Sequence, residues 1–428
     1  MVSCRGSFWV AKFIWGHRGS GCQLTGPAGI DELSIRQQFH GRNEVNQSTR
    51  VPLLDVGRAN QPLRESILDA LAEVVDSGRF LHGPQVVELE NEVATLTQSG
   101  NAVGCASGSD ALLLSLMALG IGPGDEVIVP SFTFFASVSC ITRLGATPVF
   151  VDILPDTYNV DPDRIAEAIT PKTKAIIAVH LFGQCAQIDR IVQIGGGRDV
   201  PVIEDAAQAI GAGYHSRPAG SWGTMGCFSF YPTKNLGGMG DGGMLTATDP
   251  AVADRLRLYA NHGMRPRYHH KVVGINSRLD TFQAAVLSIK IAKLGEIIEE
   301  RSRIANRYDE MLSASGLIGE AIDVPYRDPA ATHVWNQYSV RVRNERRDPL
   351  RESLLESEIG TEIYYPIPVH RQECYRDLET PRHTLRQTES ACNEIMHLPI
   401  FPGLTEGEQQ RVVEGIESHY RRQVRAAA

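Results

Sequence analysis

The sequence has no Cys-x-x-Cys pair, no long apolar run, no internal repeat and no surplus of basic charge. Each absence removes a class of function. Eight cysteines are scattered at Cys4, Cys22, Cys105, Cys140, Cys185, Cys227, Cys374 and Cys392, several of them in apolar strand-like runs. That pattern predicts buried thiols in a reducing compartment, the cytoplasm, and neither disulfides nor a metal site. The apolar stretch from Phe8 to Trp15 is interrupted by Lys12 and falls well short of the ~20 residues that span a membrane, and no small-residue cleavage site marks a secretory leader. With 42 basic against 50 acidic residues the net charge is −8, which argues against a nucleic-acid-binding surface. A Walker-type phosphate loop is absent, and Gly237 to Gly243, although glycine-rich, lacks the strand-loop-helix setting of a dinucleotide fingerprint.

What is present is an alternation of strands and helices. Glu126 to Pro130, Thr147 to Ile153, Ala175 to Leu181 and Val202 to Asp205 are short β-rich runs separated by helical or loop segments. Near-continuous apolar strands of this kind suit an α/β fold with a mainly parallel sheet covered on both faces, with ligands gathering beyond the carboxyl ends of the strands. Helical periodicity resumes after Arg278 and runs past Tyr308 to about Gly316. Beyond Asp328, strand-like Gln337 to Val342, helical Pro349 to Glu358 and strand-like Glu362 to Ile367 predict a smaller α+β unit. The 428 residues exceed one simple domain and divide into an N-terminal extension expected to be poorly ordered (1–50), a large domain with an N-terminal arm (51–328) and a small C-terminal domain (329–428). The extension carries no acid before Asp31 and no readable chemistry.

Three short segments carry chemistry. Ser229-Phe230-Tyr231-Pro232-Thr233-Lys234 is an apolar strand broken by proline that presents one lysine just before the glycine-rich loop. Val202-Ile203-Glu204-Asp205 is another buried strand, with a carboxylate at its C-terminal edge. A lysine able to form a Schiff base and an aspartate able to hold a pyridinium nitrogen are the pair that pyridoxal phosphate chemistry requires. Taken singly, such a lysine is an ordinary solvated loop charge and such an acid an ordinary strand end or helix cap. The third segment, Gly104 to Leu113, leads small residues and a possible N-cap into an apolar helix, whose free N–H groups and dipole favour a phosphate; alone it is also an ordinary capped helix.

From Val51 to about Ile416 the chain resembles the DegT/StrS-type family of pyridoxal phosphate-dependent nucleotide-sugar aminotransferases. The resemblance rests on Ser107-Gly108-Ser109-Asp110-Ala111-Leu112, Pro130-Ser131-Phe132-Thr133-Phe134, Pro148-Val149-Phe150-Val151-Asp152, Val179-His180-Leu181-Phe182-Gly183, Glu204-Asp205-Ala206-Ala207-Gln208, the Ser229 to Lys234 segment, Gly274-Ile275-Asn276-Ser277-Arg278-Leu279-Asp280 and Tyr365-Pro366-Ile367-Pro368-Val369-His370, in that order. It implies the aspartate-aminotransferase-like fold and a homodimer with active sites at the subunit interface. It also implies Lys234 and Asp205 as catalytic residues, Gly108, Ser109 and Ser229 at the cofactor phosphate, Phe134 against the ring and Gln208 at its phenolic oxygen. Asn276 is expected to reach the phosphate from the partner subunit. Tyr268, His269, His270, Arg278, Tyr364 and Tyr365 are implied near the sugar nucleotide, although a His-His pair on a polar loop is more often simply solvated.

The activity implied is transfer of an amino group, with glutamate as donor, to a nucleotide-linked keto-sugar in amino-sugar or polysaccharide biosynthesis. The segment from Arg267 to Asp280 resembles most closely members that aminate 3-keto sugars. Dehydratases of the same fold replace the lysine with histidine, and Lys234 argues against them. The alternative from another class is a regulatory or sensory protein that keeps the pyridoxal site without turnover.

Overall fold

The computed structural model describes residues 50–378 and 384–427, with side chains as far as Arg422 in the last helix. The expectation for the N-terminal extension, and Cys4 and Cys22 with it, lies outside the described residues.

Seven strands build the main sheet: β1 (Asn101–Cys105), β2 (Glu126–Pro130), β3 (Thr147–Val151), β4 (Thr173–Val179), β5 (Val202–Asp205), β8 (Met225–Ser229) and β9 (Gly243–Ala247). Between β5 and β8 the chain forms a short ribbon, β6 (Gly213–Tyr214) and β7 (Arg217–Pro218). The spatial order is β1-β9-β8-β5-β4-β2-β3, and only β9 runs against the others. This is the mainly parallel sheet that the apolar runs predict.

Successive strand residues point to opposite faces, and both faces are dry. Val127, Val129, Phe150, Ile177, Cys227 and Leu245 enter one core; Ile128, Val149, Ile176, Phe228 and Met244 enter the other. The helix Gly108–Ala118 is buried along most of its length in the first core, with Leu112, Leu113, Leu114 and Leu116 all buried and only its first turn, at Ser109, exposed. A helix apolar on nearly every side is a core helix.

A second sheet joins β10 (Ile322–Asp323), β12 (Tyr338–Val342) and β13 (Ile395–Leu398), all antiparallel, while β11 (Ala331–Thr332) pairs with the β6–β7 ribbon. Its core includes Tyr338, Val340, Leu350, Met396 and Val412, together with Val51 and Tyr308 from far upstream. Val51 forms a parallel bridge with Ile359, which ties the first described residues to this sheet.

Two predicted elements differ. Glu362 to Ile367 is not a strand: only a single bridge joins Glu362 to His397, and the segment then runs through Pro366 and Pro368, which have no N–H to give to a ladder. The helical stretch after Arg278 is two helices, Thr281–Ile291 and Leu294–Ala314, separated at Ala292-Lys293. All six described cysteines are free, five of them buried and Cys374 exposed. Among the described residues no helix is long and apolar enough to cross a membrane.

Candidate active site

β1, β5 and β8 point the same way, so Ser107-Gly108, Asp205 and the segment leading to Lys234 leave the sheet at one edge. At the first of these, Ser107 is extended (φ −164°) and its hydroxyl accepts from the Asp110 N–H at 3.1 Å, a side-chain N-cap for the helix Gly108–Ala118. A cap on Asp110 leaves the first N–H groups, at Gly108 and Ser109, for an external acceptor. The helix start is also pressed onto β8: a Cβ at Gly108 would stand 2.6 Å from the Ser229 Cβ. Glycine is therefore required here by close approach, and the approach brings the Ser229 side chain beside the free N–H groups.

Asp205 is 5% exposed. Its Oδ2 accepts from the Ser137 hydroxyl at 2.7 Å, and Oδ1 from the Ala207 N–H at 3.2 Å. Ser137 is itself in contact with Thr133 Oγ1 at 2.9 Å. Burial raises the Asp205 pKa above the usual carboxylate range; the Ser137 and Ala207 hydrogen bonds, then the charge of Lys234, act against that rise. Beside it, Glu204 is fully buried and accepts from the N–H groups of Gly220, Trp222 and Gly223 at 2.8, 2.7 and 2.8 Å, and its Oε2 meets His180 Nε2 at 2.9 Å. His180 Nδ1 accepts from the Ala186 N–H, which puts the ring proton on Nε2 facing Glu204. This pair fixes the ends of β4 and β5, and the His180 N–H donates to the Asp205 carbonyl at 3.0 Å.

Lys234 follows a turn closed by its own N–H onto the Tyr231 carbonyl at 2.9 Å. Burial of the amine lowers its pKa to about 8, and the nearby Asp205 charge opposes that fall. The glycine-rich loop after it is held from the helix Thr281–Ile291: Gln283 accepts from the Met239 N–H at 2.8 Å, and Lys290 donates to the Gly237 carbonyl. A Cβ at Gly237 would lie 2.4 Å from the Pro232 carbonyl oxygen, so the turn closes only over glycine. In the cofactor-free protein, labelling of Lys234 by an amine reagent, followed by peptide mapping against pH, should therefore have its midpoint near 8, with the reactive neutral amine above it. A midpoint at the ordinary lysine value would show that the amine is solvated.

The structure gathers Lys234, Asp205, Gly108 and Ser229 at one sheet edge and adds Tyr365 to them. Burial raises the Tyr365 pKa, the Asp205 charge raises it further, and Gln208 hydrogen-bonds its hydroxyl. Gln208 Oε1 accepts from the Phe182 N–H at 2.6 Å, which turns the amide N–H groups toward Tyr365. Phe134 is 58% exposed and its ring lies 6.2 Å from that of Tyr365. Tyr364 packs on His397, ring centroids 4.9 Å apart. Tyr268, His269 and His270 stand on an exposed loop, where His270 Nδ1 lies 2.9 Å from the His262 carbonyl oxygen. Asn276 is exposed, although its neighbour Ser277 is buried and accepts from the Ala106 N–H at 3.1 Å, so the loop passes over the end of β1. Arg278 is half-buried beside it. Ser137, Gln283 and Lys290 lie outside the motifs that the sequence offered, and Thr133 lies within one without a role assigned to it.

The sequence profile of the DegT/DnrJ/EryC1/StrS aminotransferase family matches residues 61–417. The chain belongs to this family. It is 44% identical over 87% of its length to a pleiotropic regulatory protein of Geobacillus stearothermophilus, covering 99% of that protein. It is 42% identical over 86% of its length to the dTDP-3-amino-3,4,6-trideoxy-alpha-D-glucose transaminase of Streptomyces venezuelae, covering 96% of that enzyme. Among solved structures it resembles NtdA of Bacillus subtilis with bound cofactor PMP, at a TM-score of 0.81 and 34% identity over 87% of this chain and 86% of that one. The fold is that of the pyridoxal phosphate aminotransferases, and the chain is an aminotransferase that takes pyridoxal 5′-phosphate.

The site suits that cofactor on its own geometry. The helix start at Gly108 offers unfilled N–H donors beside Ser229 for a phosphate, Asp205 is a buried carboxylate with one oxygen bound only by a backbone N–H, and Lys234 is an amine depressed toward neutrality.

Proposed function

We propose that this aminotransferase carries an amino group from glutamate to the 3-keto carbon of a nucleotide-linked sugar. The observation that carries the reading is the buried Asp205 carboxylate, whose charge reaches the Lys234 amine at the carboxyl edge of the sheet. The relative named as a transaminase of a dTDP-3-amino sugar supports the choice of acceptor.

When bound, the cofactor supplies an electron sink that makes a proton on the adjoining carbon removable. In this reading Lys234 Nζ would hold the cofactor and, as the neutral amine, would take up and return that proton. Asp205 Oδ1 keeps the proton on the ring nitrogen, while Ser137 occupies Oδ2 and fixes the carboxylate plane. Gly108, Ser109 and Ser229 hold the phosphate, Gln208 donates to the phenolic oxygen, and Phe134 covers the ring. Tyr268, His269, His270, Arg278, Tyr364 and Tyr365 meet the sugar nucleotide. Asn276 reaches the phosphate of the second subunit of a homodimer, and its exposure in the single chain is consistent with that use. The free cysteines suit the cytoplasm.

A regulatory protein without turnover is disfavoured because Lys234, Asp205, Gln208 and Ser229, the full set that turnover needs, are all present. Incubating the purified protein with glutamate and a panel of keto-sugar nucleotides, with mass detection of the amine, tests the reading; a 3-keto substrate should turn over, and amination of only 4-keto sugars would replace that part of it. For the dimer, mixing Asn276→Ala with Lys234→Ala subunits should restore one intact site per exchanged heterodimer. Exchange without recovered activity would place Asn276 within its own chain's site.

A further inference from the structure

A cavity of about 40 Å³ lies beside the Lys234 turn, with Asp55, Asn235, Lys290, Arg301 and Phe401 among its walls. The space exceeds the roughly 10–15 Å³ that one water needs. It is too small for a sugar or a whole amino acid.

Two of its walls are buried cations. Lys290 is 5% exposed and Arg301 4%. Lys290 donates to the Gly237 carbonyl, and Arg301 Nη1 to the carbonyls of Trp335 and Ile400 at 2.9 and 3.2 Å. Arg301 Nε is buried with no hydrogen-bond partner at all. The acceptors these cations do have are neutral carbonyls, and neither cation is in an ion pair among the described residues. Asp55 in the cavity wall accepts from the Arg58 N–H at 2.8 Å and pairs with its guanidinium, while Glu300 accepts from the Gly403 N–H at 2.7 Å and acts on Arg301 by its charge alone. A buried charge without a counter-charge is costly. Its signature is present, since burial pulls Lys290 down to about 8 and Arg301 to about 10.

We propose that this cavity is a small-anion site, in which Lys290 and Arg301 hold a monovalent anion of halide or formate size next to the Lys234 turn. The anion supplies a counter-charge for Lys290 and adds to that of Glu300 at the Arg301 guanidinium. Its negative charge also strengthens the hold of the Lys234 amine on its proton, so occupancy of the cavity biases the residue that the proposed reaction depends on. The site itself does not depend on that reaction.

The test uses the full chain. Crystals soaked in sodium bromide should show an anomalous peak in the cavity within hydrogen-bonding distance of Lys290 Nζ and the Arg301 guanidinium. In solution, replacing gluconate, too bulky to enter, by bromide at constant ionic strength should raise the melting temperature by about 2 °C. Lys290→Met keeps the packing and should lose both the peak and the melting response. Formate and glutamate are then added as competitors: displacement by formate alone supports a small-anion site, and displacement by glutamate as well overturns the size assigned to it. No peak in the cavity, or a bromide response unchanged in Lys290→Met, overturns the proposal.

Discussion

Lys234→Ala should reduce amino transfer by about 10⁴-fold or more, because one side chain is asked both to hold the cofactor and to move the proton. Removing it leaves the Gly108 cradle and Asp205 in place, so cofactor binding should weaken without vanishing. Two measurements check this. Borohydride treatment of the wild-type protein should fix the cofactor on the peptide that contains Lys234, and on no peptide in the variant. Single-turnover rates should fall while the melting temperature of the cofactor-free protein does not, since the amine is held below its ordinary pKa by burial and its loss relieves a desolvation cost. Recovery of the label on Lys290, the other depressed lysine near this turn, would move the covalent role there.

Asp205→Asn is expected to cost 10²- to 10³-fold in turnover, about 3 kcal/mol, the scale of one preorganised charge acting on a transition state. The substitution keeps the shape, and an amide can still meet the Ser137 hydroxyl; what goes is the negative charge that keeps a proton on the ring nitrogen. The fold should survive it. The Asp205 pKa is raised in the folded protein, so ionisation of this group opposes folding at neutral pH, and the cofactor-free variant should melt no lower than wild type. Sign and mechanism then separate cleanly: lost turnover with retained stability supports the charge role, near-normal turnover assigns it to another group, and lost stability would mean that the Ser137 hydrogen bond to the carboxylate supports the core.

Much of this was written locally in the chain. Strand runs such as Ala175 to Val179 are apolar on both faces, so their burial and parallel pairing are legible before any contact is known. The Ser107 cap is a matter of three residues, and Pro232, in the turn that leads to Lys234, acts at its own position. From these the sequence determined the sheet, the edge at which the chemistry gathers and the lysine–aspartate pair. Tertiary structure alone decided the rest. Ser137 lies 68 residues from the Asp205 carboxylate it fixes, and Lys290 lies 53 residues from the Gly237 carbonyl it holds. Tyr365 reaches Asp205 and Gln208 from a segment whose alternation mimics a strand but whose prolines cannot join a ladder. Val51, the start of the arm, belongs to the core of the second sheet. The physical reason is common to all of these. Hydrophobic period and capping are properties of neighbours along the chain, whereas the partner of a buried hydroxyl, amine or aromatic ring is fixed only when the sheet order brings distant segments together and leaves each polar atom to be satisfied by what lies opposite.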